Sequence, residues 1–300
     1  MDKVVVLGKT GYVAEKFLVY LASRNIPAIG VSRSDINYSN KETLVEFLKS
    51  EKPSFLINAA GYTGKPNVDA CEIHKSQCIL GNAVLPGVVR RACEMTSTAW
   101  GHISSGCIYT GKNEDGSGFK ETDKPNFSFR TDNCSFYSGT KAIGEEVLED
   151  AECYIWRLRI PFNNESSPRN YIQKLINYGC LLEAENSISH LNEFVRACFE
   201  CWEKRIPFGI YNVTNPGFVT TSEVVELMKE ESKRRIIEEL PNPFDKEYLF
   251  FNDEDDFMNK AAKTPRSNCV MDTTKLTHAG ITLTPVKEAI KKSLQSWNIS

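Results

Sequence analysis

The feature that most constrains the fold is a repeated alternation of short apolar runs with amphipathic helical stretches. The apolar runs are VVVLG at residues 4–8, AIGVS at 28–32, SFLINAA at 54–60, AWGHISS at 99–105 and CYIWRLR at 153–159. Runs without polar alternation are typical of strands buried on both faces, which parallel sheets require. The alternation predicts an α/β protein with a doubly wound parallel sheet of the Rossmann type.

The helical patterns divide the chain unequally. Those of the first part cover residues 12–24, 41–49, 76–95 and 136–149. After Arg159 the pattern is less regular, with helical stretches at residues 171–178, 191–204 and 285–297 and a strand-like stretch at 208–214. We predict that residues 1–160 form the cofactor-binding domain. Residues 161–300 are predicted to form mainly a smaller, discontinuous substrate-binding region, with some segments returning to the core of the first domain.

Two further stretches stand out. The polar segment at residues 112–133 is too long for an ordinary connection, and long loops in such folds usually carry function or move. The charged run EESKRRIIEE at residues 230–239 is predicted to be a solvated helix face.

Composition excludes several classes of function. The 300 residues are 41% hydrophobic, contain no apolar run long enough to span a membrane, and carry a net charge of −3 without a basic stripe. The chain is therefore expected to bind neither membranes nor nucleic acid. No signal-peptide pattern is present, so we expect a cytoplasmic protein whose ten cysteines are free thiols. Cys198 and Cys201 form one C-x-x-C, but without further ligands we predict no metal site.

A glycine-rich turn follows the first apolar run directly. Gly8, Gly11 and Ala14 form G-x-x-G-x-x-A and open the first helical stretch. Small residues at such a turn let the backbone approach a pyrophosphate at the amino terminus of a helix. In this β-α-β context the pattern predicts a dinucleotide site.

The end of the second apolar run bears on the choice of dinucleotide. The sequence there is Ser32-Arg33-Ser34, where NAD enzymes usually have an acid for the ribose 2′-hydroxyl. A guanidinium group suits a 2′-phosphate, so Arg33 favours NADPH. NADH remains the alternative because of Asp35. If the second strand ended slightly later than predicted, Asp35 would occupy the position of the acid that binds the ribose 2′-hydroxyl.

Two stretches supply the residue types for reducing a ketone. SSGCIYTG contains Ser105 at the end of the fourth apolar run, and FYSGTK places Tyr137 and Lys141 four residues apart on a helix. In the predicted mechanism Lys141 lowers the pKa of Tyr137 and holds the nicotinamide ribose. Tyr137 donates a proton to the carbonyl oxygen as hydride reaches the carbon, and Ser105 orients that oxygen.

These residues resemble the extended short-chain dehydrogenase/reductases, and within them the reductases of nucleotide-activated 4-keto-6-deoxy sugars. The most specific resemblance is to the plant-type bifunctional nucleotide-rhamnose synthases, which are 3,5-epimerase/4-reductases. The matching stretches are GKTGY, NAAGYTGKPNVDACEIHK, GCIY, GSGFKETDKPNF, FYSGTKAIGEE, RLRIPFNNESSPRN, GIYNVTNPG and TPRSN. Related 4-dehydrorhamnose reductases share NAA and the Tyr/Lys pair but lack the GKPNV insertion.

The motifs and the resemblance together imply a set of cofactor contacts. They are Gly8, Lys9, Thr10, Gly11, Tyr12, Val13, Arg33, Asn58, Ala59, Ala60, Tyr137 and Lys141. The predicted substrate contacts are Thr63, Gly64, Asn67, Asn82, Arg169, Asn170, Arg266 and Asn268. The arginines are the candidates for the nucleotide diphosphate, since guanidinium groups match phosphate oxygens.

Reduction does not need Cys107, which lies two residues beyond Ser105 and is directed into the same site. Beside Lys141 a thiolate could remove a proton from a carbon next to the ketone, as epimerisation requires. The resemblance implies a second acid on the far side of the sugar, a lysine after PRN, and Lys174 occupies that position.

The predicted function is NADPH-dependent 3,5-epimerisation and 4-reduction of a UDP- or dTDP-linked 4-keto-6-deoxyglucose to the β-L-rhamnose nucleotide. A monofunctional 4-reductase is the main alternative. A non-catalytic regulatory subunit of the same fold is the third reading, and intact Ser105, Tyr137 and Lys141 argue against it. A homodimer is left open.

Overall fold

The computed structural model describes residues 3–298. The strands are β1 (Val4–Leu7), β2 (Ala28–Val31), β3 (Phe55–Asn58), β4 (Ala99–Ser105), β5 (Tyr154–Leu158), β6 (Pro161–Phe162), β7 (Cys180–Leu181), β8 (Glu185–Asn186), β9 (Ser189–His190), β10 (Gly209–Asn212), β11 (Val219–Thr220) and β12 (Leu249–Phe250).

The helices are α1 (Tyr12–Ser23), α2 (Lys41–Glu51), α3 (Ala70–Ile73), α4 (Lys75–Ile79), α5 (Leu85–Thr96), α6 (Phe136–Glu146), α7 (Tyr171–Asn177), α8 (Leu191–Glu203), α9 (Thr221–Ile237), α10 (Glu254–Lys260), α11 (Thr274–His278) and α12 (Val286–Gln295). A π-helical turn at Leu80–Val84 and a 3₁₀ turn at Gly106–Ile108 complete the set.

Six strands form the central sheet, in the order β10-β5-β4-β3-β1-β2, and all neighbouring pairs are parallel. The chain runs outward from β1 to β2 and then crosses to the other side at β3. A crevice forms at the carboxyl ends of strands where the order reverses, and ligands of doubly wound sheets bind there. In this chain that point lies between β1 and β3, so the predicted doubly wound Rossmann fold is confirmed.

Helices cover both faces of the sheet. On one face α1 and α8 pack together over Val4, Val6 and Trp156, and on the other α2 and α5 pack over Val5 and Leu7. Because alternate residues of a strand point to opposite faces, β1 contributes to both cores and has no polar position. This explains why its sequence is a continuous apolar run.

The second half of the chain contributes to both regions. Strand β10 adds to the edge of the central sheet beside β5, and α8 packs on α1. A separate apolar core forms where α9 and α12 pack around side chains such as Phe162, Val224 and Ile290. Three two-stranded sheets, β11-β8, β12-β7 and β6-β9, lie outside the central sheet.

One predicted helix is interrupted. The pattern over residues 76–95 resolves into α4, the π turn Leu80–Val84 and α5. Pro86 lies in the first turn of α5 and cannot donate a hydrogen bond to the carbonyl of Asn82, four residues earlier. A π turn widens the backbone at that point, and such turns occur frequently at functional sites.

The charged run at residues 230–239 is only partly solvated, contrary to the prediction. It ends helix α9, and Glu231 and Arg235 are 6% and 5% exposed. Their side chains form an ion pair of 2.8 Å, and Arg235 also donates to the Leu294 carbonyl at the end of α12. The pair joins α9 to α12, because charges that are buried must be paired.

Candidate active site

The carboxyl end of β4 places a serine and a cysteine side by side. The strand ends at Ser105, whose hydroxyl accepts a hydrogen bond of 3.3 Å from the Cys107 backbone N–H and so caps the 3₁₀ turn that follows. Cys107 is 7% exposed, while Ser105 is half-buried. The turn therefore directs the thiol inward and leaves the serine at the rim of the site.

Helix α6 brings the tyrosine and the lysine to the same sheet edge. Ser135 caps its amino end by accepting a hydrogen bond of 3.2 Å from the Ser138 N–H. Tyr137 and Lys141 follow one turn apart on one face of the helix. The Lys141 ammonium donates to the Ile103 carbonyl of β4 at 3.0 Å, and this contact ties α6 to the strand.

Four predicted catalytic side chains form one cluster, which we call the Ser-Cys-Tyr-Lys cluster. Ser105 and Cys107 both influence the pKa of Tyr137, and Cys107 also influences that of Lys141, so the four side chains lie close together. Residues from β4, the 3₁₀ turn and α6 thus meet at one place. The spacing of the two sequence motifs did not show this contact, and only the packing of α6 against β4 creates it.

Burial controls the proton affinities in the cluster. Burial raises the pKa of Tyr137 well above its ordinary value, the nearby Cys107 adds to the increase, and the hydrogen bond with Ser105 opposes it. Burial also lowers the pKa of Lys141. The sequence predicted that Lys141 lowers the pKa of Tyr137, but in the structure that pKa is raised. Tyr137 is instead a protonated phenol at neutral pH, which is the state that a proton donor needs.

The π turn holds Asn82 against the backbone after β3. Asn82 is fully buried, its Nδ2 donates to the Tyr62 carbonyl, and its Oδ1 accepts from the Tyr62 N–H, each at 2.8 Å. The same Nδ2 lies 3.2 Å from Thr140 Oγ1 and 3.4 Å from Cys78 Sγ. Asn82 therefore orders the backbone of the site, and its amide has no free donor for the predicted substrate contact.

A cavity of about 310 Å³ opens at the carboxyl ends of β1, β2 and β3. Its lining residues are Gly8, Thr10, Gly11, Ser32, Arg33, Ser34, Tyr38, Ala59, Ala60 and Gly61. Gly8 has φ +86°, and a Cβ there would lie 2.9 Å from Ala60 Cα, so only glycine fits. Gly11 precedes α1 and supplies no capping side chain, which leaves first-turn N–H groups free for an anion. The cavity fits a dinucleotide pyrophosphate.

Other predicted cofactor residues lie behind the cavity wall. Lys9 forms an ion pair of 2.8 Å with Asp35, the Tyr12 hydroxyl donates to Asn163 at 3.4 Å, and Val13 packs against the apolar core. These side chains support the turn without lining the cavity.

The NAA stretch shapes one wall of this cavity through a buried pair. Asn58 Oδ1 accepts a hydrogen bond of 3.2 Å from the Ala60 N–H, and Asn58 Nδ2 lies 3.0 Å from His102 Nδ1 on β4. Both residues are at most 1% exposed, and burial lowers the pKa of His102 well below its ordinary value, with Lys141 adding to the decrease. His102 is therefore neutral and accepts at Nδ1. Asn58 acts by shaping the turn that carries Ala59 and Ala60.

Arg33 and Asp35 have separate roles at the end of β2. Arg33 is exposed and lines the cavity together with Tyr38. Asp35 accepts hydrogen bonds from the Ser32 N–H and hydroxyl, each at 2.7 Å, and pairs with Lys9. These contacts lower the pKa of Asp35, with the Lys9 hydrogen bond the largest cause. The carboxylate is thus occupied within the protein, whereas the guanidinium faces the cavity.

Three segments distant in sequence meet on the other side of the site. Arg169 donates to the Gly64 carbonyl at 2.7 Å, and Arg266 donates to both oxygens of Asp69 at 2.7 and 2.9 Å. Burial lowers the pKa of Lys174, and the charges of Arg169 and Arg266 add to the decrease. We call Lys174, Arg169 and Arg266 the cationic group. It suits an anionic ligand, although Asp69 already neutralises one charge.

Lys174 belongs to the cationic group and not to the Ser-Cys-Tyr-Lys cluster. Within residues 3–298 no hydrogen bond or ion pair joins it to Cys107, and its pKa responds to Arg169 and Arg266 instead. A base and an acid on opposite faces of a sugar do not touch each other, so this separation is compatible with the pairing of Cys107 and Lys174, which stays a prediction.

The remaining predicted substrate contacts vary in exposure. Asn170 is fully buried and caps α7, and its amide donates to the carbonyls of Asn163 and Glu165, so its side chain has a structural role. Asn268 accepts a hydrogen bond of 3.2 Å from Asn186. Thr63 is exposed after β3.

The loop after Thr63 is held by local contacts. Gly64 has φ +70°, and a Cβ there would lie 2.3 Å from the Asn67 carbonyl oxygen. The Asn67 side chain accepts from the Asp69 N–H at 2.9 Å. Asn67 thereby positions the acid that binds Arg266.

Sequence reasoning missed several residues of the site. Ser138 and the charge of Arg159 both act to lower the pKa of Cys107, and Tyr38 lines the dinucleotide cavity. Ser138 lies within the FYSGTK motif and could have been noticed there. Arg159 and Tyr38 lie at or beyond strand ends, and their sequence context carries no signal for these contacts.

Two classes of site are not found in the part of the chain that the structure describes. No group of three or more His, Cys, Asp or Glu side chains in residues 3–298 is arranged to hold a metal ion. Within the same range, no helix combines the length and apolar character that a membrane crossing requires.

Fold and site together place the chain among Rossmann-type α/β proteins with the side-chain arrangement of short-chain dehydrogenase/reductases. Within that class the sequence profile described as "RmlD substrate binding domain" matches residues 2–299, and the chain belongs to that family. The match covers both halves of the chain. The suspected family resemblance is therefore confirmed.

Curated relatives from Arabidopsis thaliana are similar over nearly the whole chain. A bifunctional dTDP-4-dehydrorhamnose 3,5-epimerase/dTDP-4-dehydrorhamnose reductase is 31% identical over 96% of this chain and 91% of its own length. A trifunctional UDP-glucose 4,6-dehydratase/UDP-4-keto-6-deoxy-D-glucose 3,5-epimerase/UDP-4-keto-L-rhamnose-reductase is 33% identical over 97% of this chain. The chain spans 41% of the length of that trifunctional protein.

Solved structures share the fold at low identity. A UDP-rhamnose synthase from Acanthamoeba polyphaga mimivirus superposes with a TM-score of 0.86 at 21% identity, covering 98% of this chain and 99% of that one. A dTDP-4-dehydrorhamnose reductase from Bacillus anthracis in complex with NADP gives a TM-score of 0.75 at 15% identity, covering 99% and 97%.

Proposed function

We propose that this protein is an NADPH-dependent 3,5-epimerase/4-reductase that converts a UDP- or dTDP-linked 4-keto-6-deoxyglucose to the corresponding β-L-rhamnose nucleotide. The observation that carries the proposal is the Ser-Cys-Tyr-Lys cluster, which adds a buried thiol to the groups that ketone reduction uses. The similarity to an epimerase/reductase along 91% of that relative's length supports the same conclusion.

In the reduction, Tyr137 is the proton donor. Its raised pKa keeps the phenol protonated, and Ser105 lies close enough to influence that pKa. The nicotinamide, when bound, supplies hydride to the carbonyl carbon. Tyr137 then gives its proton to the carbonyl oxygen while Ser105 holds that oxygen in place. Lys141 lies beside the cavity wall, 3.9 Å from the position of a Cβ on Gly61, where it can hold the ribose.

The cofactor in this proposal is NADPH, with NADH as the weaker substrate. Arg33 faces the cavity and carries the charge that a 2′-phosphate requires. Asp35 is the acid that could favour NADH, and its contacts with Lys9 and Ser32 occupy it. The Gly8 turn and the open amino end of α1 would hold the pyrophosphate.

In the epimerisation, the Cys107 thiolate is the base for the carbons beside the ketone. The second acid on the far side is Lys174, whose lowered pKa makes its ammonium a better proton donor than an ordinary lysine. The cationic group around it would also bind the nucleotide diphosphate.

A monofunctional 4-reductase is the second candidate, and one observation favours it. Lys174 lies among the charges of Arg169 and Arg266, as expected of a residue that binds a diphosphate. A lysine in that position serves phosphate binding equally well, and epimerisation would then depend on a separate enzyme.

The test is to incubate the protein with each 4-keto-6-deoxyglucose nucleotide and NADPH and to read product stereochemistry by NMR. In deuterated water the wild type should incorporate deuterium at C3 and C5 of the sugar. Cys107→Ser should stop this exchange and still reduce a pre-epimerised substrate, whereas Cys180→Ser, a matched control outside the cluster, should behave as wild type. Undiminished exchange in Cys107→Ser would remove Cys107 from the epimerase assignment, whereas absence of exchange in the wild type would leave only the reductase.

A further inference from the structure

Three arginine side chains are buried in the described part of the protein, and two of them have carboxylate partners. Arg157 pairs with Glu145 at 2.7 Å and Arg235 pairs with Glu231 at 2.8 Å. Arg159 is 5% exposed, yet within residues 3–298 no carboxylate lies within 4.0 Å of it. A buried charge without a counter-charge is unfavourable, so Arg159 differs from the other two in a way that needs a physical reason.

The hydrogen bonds of Arg159 hold it in place and leave part of it free. One terminal nitrogen donates to Asn186 Oδ1 and to the Ser267 carbonyl, which are both neutral acceptors. Its Nε is buried and has no hydrogen-bond partner among residues 3–298. The guanidinium is therefore fixed in orientation but neither neutralised nor fully satisfied.

The location of Arg159 identifies what it faces. It follows β5 directly, and the position of a Cβ on Gly106 would lie 3.3 Å from Arg159 Cδ. Gly106 is the neighbour of Cys107, and the lack of a side chain there lets the arginine pack against the turn that carries the thiol. Lys141 is the other buried cation next to Cys107, and it also has no ion pair within the described residues.

We propose that Arg159 is a positioning residue whose buried counter-charge is the thiolate of Cys107. The inference rests on the proposed epimerase function, for which Cys107 is the base. The thiolate takes the proton from the carbon beside the ketone, and the C–H electron pair moves into the enolate. Cys107 is left as a neutral thiol while the far-side acid returns a proton to that carbon. Arg159 favours the state that starts this cycle.

The pKa of Cys107 lies above its ordinary value, so the groups around the thiol offset only part of the effect of burial. Burial raises the pKa of Cys107, while the hydrogen bond with Ser105, the charge of Arg159, the hydrogen bond with Ser138 and the charge of Lys141 act in the opposite direction. The other titratable groups that face Cys107 are Tyr137, Cys71 and Cys134. None of them is a cation, so Arg159 and Lys141 are the positive charges that can stabilise the thiolate. Lys141 already has a role in the proposed reduction, where it holds the nicotinamide ribose.

The experiment is a pH titration of thiolate absorbance on the full chain, with the curve of Cys107→Ser subtracted so that only Cys107 is observed. Arg159→Gln should move the ionisation of Cys107 upward by about one pH unit or more, as expected when an opposite charge is removed from contact. Arg159→Lys should restore most of the shift. Arg91→Gln, a control at an exposed surface arginine, should leave the curve unchanged.

An unchanged Cys107 curve in folded Arg159→Gln would overturn the proposal. A second pair of variants covers the case in which Arg159→Gln does not fold. If Arg159 stabilises a negative charge at position 107, Cys107→Asp should have a higher melting temperature than Cys107→Asn at neutral pH. If the site excludes charge, Cys107→Asn should have the higher melting temperature. Neither measurement needs substrate. Failure of the proposed epimerase activity would appear separately, as absence of deuterium incorporation by the wild type.

Discussion

Arg33 and Asp35 lie two residues apart, but only one of them faces the dinucleotide cavity. Asp35 is held by Lys9 and Ser32, whereas Arg33 lines the cavity beside Tyr38. The sequence left the choice between them open because strand ends cannot be aligned to one residue. The hydrogen bonds of Asp35 occupy its carboxylate, which favours Arg33 as the group that faces the cofactor.

This contrast gives a prediction about cofactor preference. Arg33→Ala should raise the KM for NADPH by about tenfold or more, because a charge-assisted hydrogen bond contributes about 1.5–3 kcal/mol. The KM for NADH should change little. Steady-state kinetics with both cofactors measures this, with Arg91→Ala as the control on the exposed surface. An identical NADPH to NADH ratio in wild type and Arg33→Ala would contradict it.

The buried His102 should make the free energy of unfolding depend on pH. Its folded pKa lies well below the ordinary 6.5, so below pH 6.5 the unfolded chain binds a proton that the folded protein does not. Stability is full above pH 6.5 and is lost as pH falls toward the folded pKa, by up to about 1.4 kcal/mol per pH unit. His102→Asn keeps an acceptor for Asn58 without titrating, so it should lose less stability between neutral pH and pH 5.5.

Urea unfolding at both pH values measures this effect. His278→Asn removes an exposed histidine and should retain the wild-type pH dependence. Equal pH dependence in His102→Asn and wild type would show that His102 is not the group responsible.

At the level of elements, the contact between α6 and the π turn determines where the catalytic helix lies. A Cβ on Gly144 would approach the Asn82 carbonyl oxygen to 2.2 Å, so α6 can pack this closely only with glycine at that position. The sequence pattern predicted one helix over residues 76–95, since hydrophobic periodicity does not register a widened turn. The interruption instead follows from Pro86 and from the approach of α6.

Gly144→Ala tests this packing. The added methyl group should force α6 away from Asn82 and destabilise the protein by about 1–3 kcal/mol, the usual cost of overpacking. Reductase activity should fall as well, because the same helix carries Tyr137 and Lys141. Gly179→Ala is the matched control, since a Cβ there meets no atom within 4 Å. Chemical denaturation compares the two variants, and equal stabilities would refute the role given to this contact.

For the molecule as a whole, the substrate side depends on contacts between segments far apart in the chain. Arg266 binds the side chain of Asp69, which lies 197 positions earlier in the sequence. Arg169 binds the backbone carbonyl of Gly64. Each segment was predicted to bind the substrate. Their mutual arrangement, and the pairing of Arg266 with an acid, came only from the structure.

Asp69→Asn should therefore leave the cationic group without a carboxylate. The melting temperature should fall at low ionic strength, and added salt should recover part of the loss because it screens the repulsion among Lys174, Arg169 and Arg266. Glu203→Gln, which breaks a surface pair with Arg24, should have a small effect in either condition. A loss that salt does not change would indicate that Asp69 acts through packing alone.

The sequence by itself determined the parallel sheet, the glycine turn, and the catalytic residue types. Strand burial and tight turns depend on local patterns of apolar and small residues, which can be read along the chain. Tertiary structure alone decided which charged groups face each other. Lys174 came to lie beside Arg169 and Arg266, and Arg159 came to lie against the turn that carries Cys107, without a carboxylate partner in residues 3–298. Such contacts depend on distances between elements that no local pattern encodes, because the strength of an electrostatic contact depends on separation and burial in space.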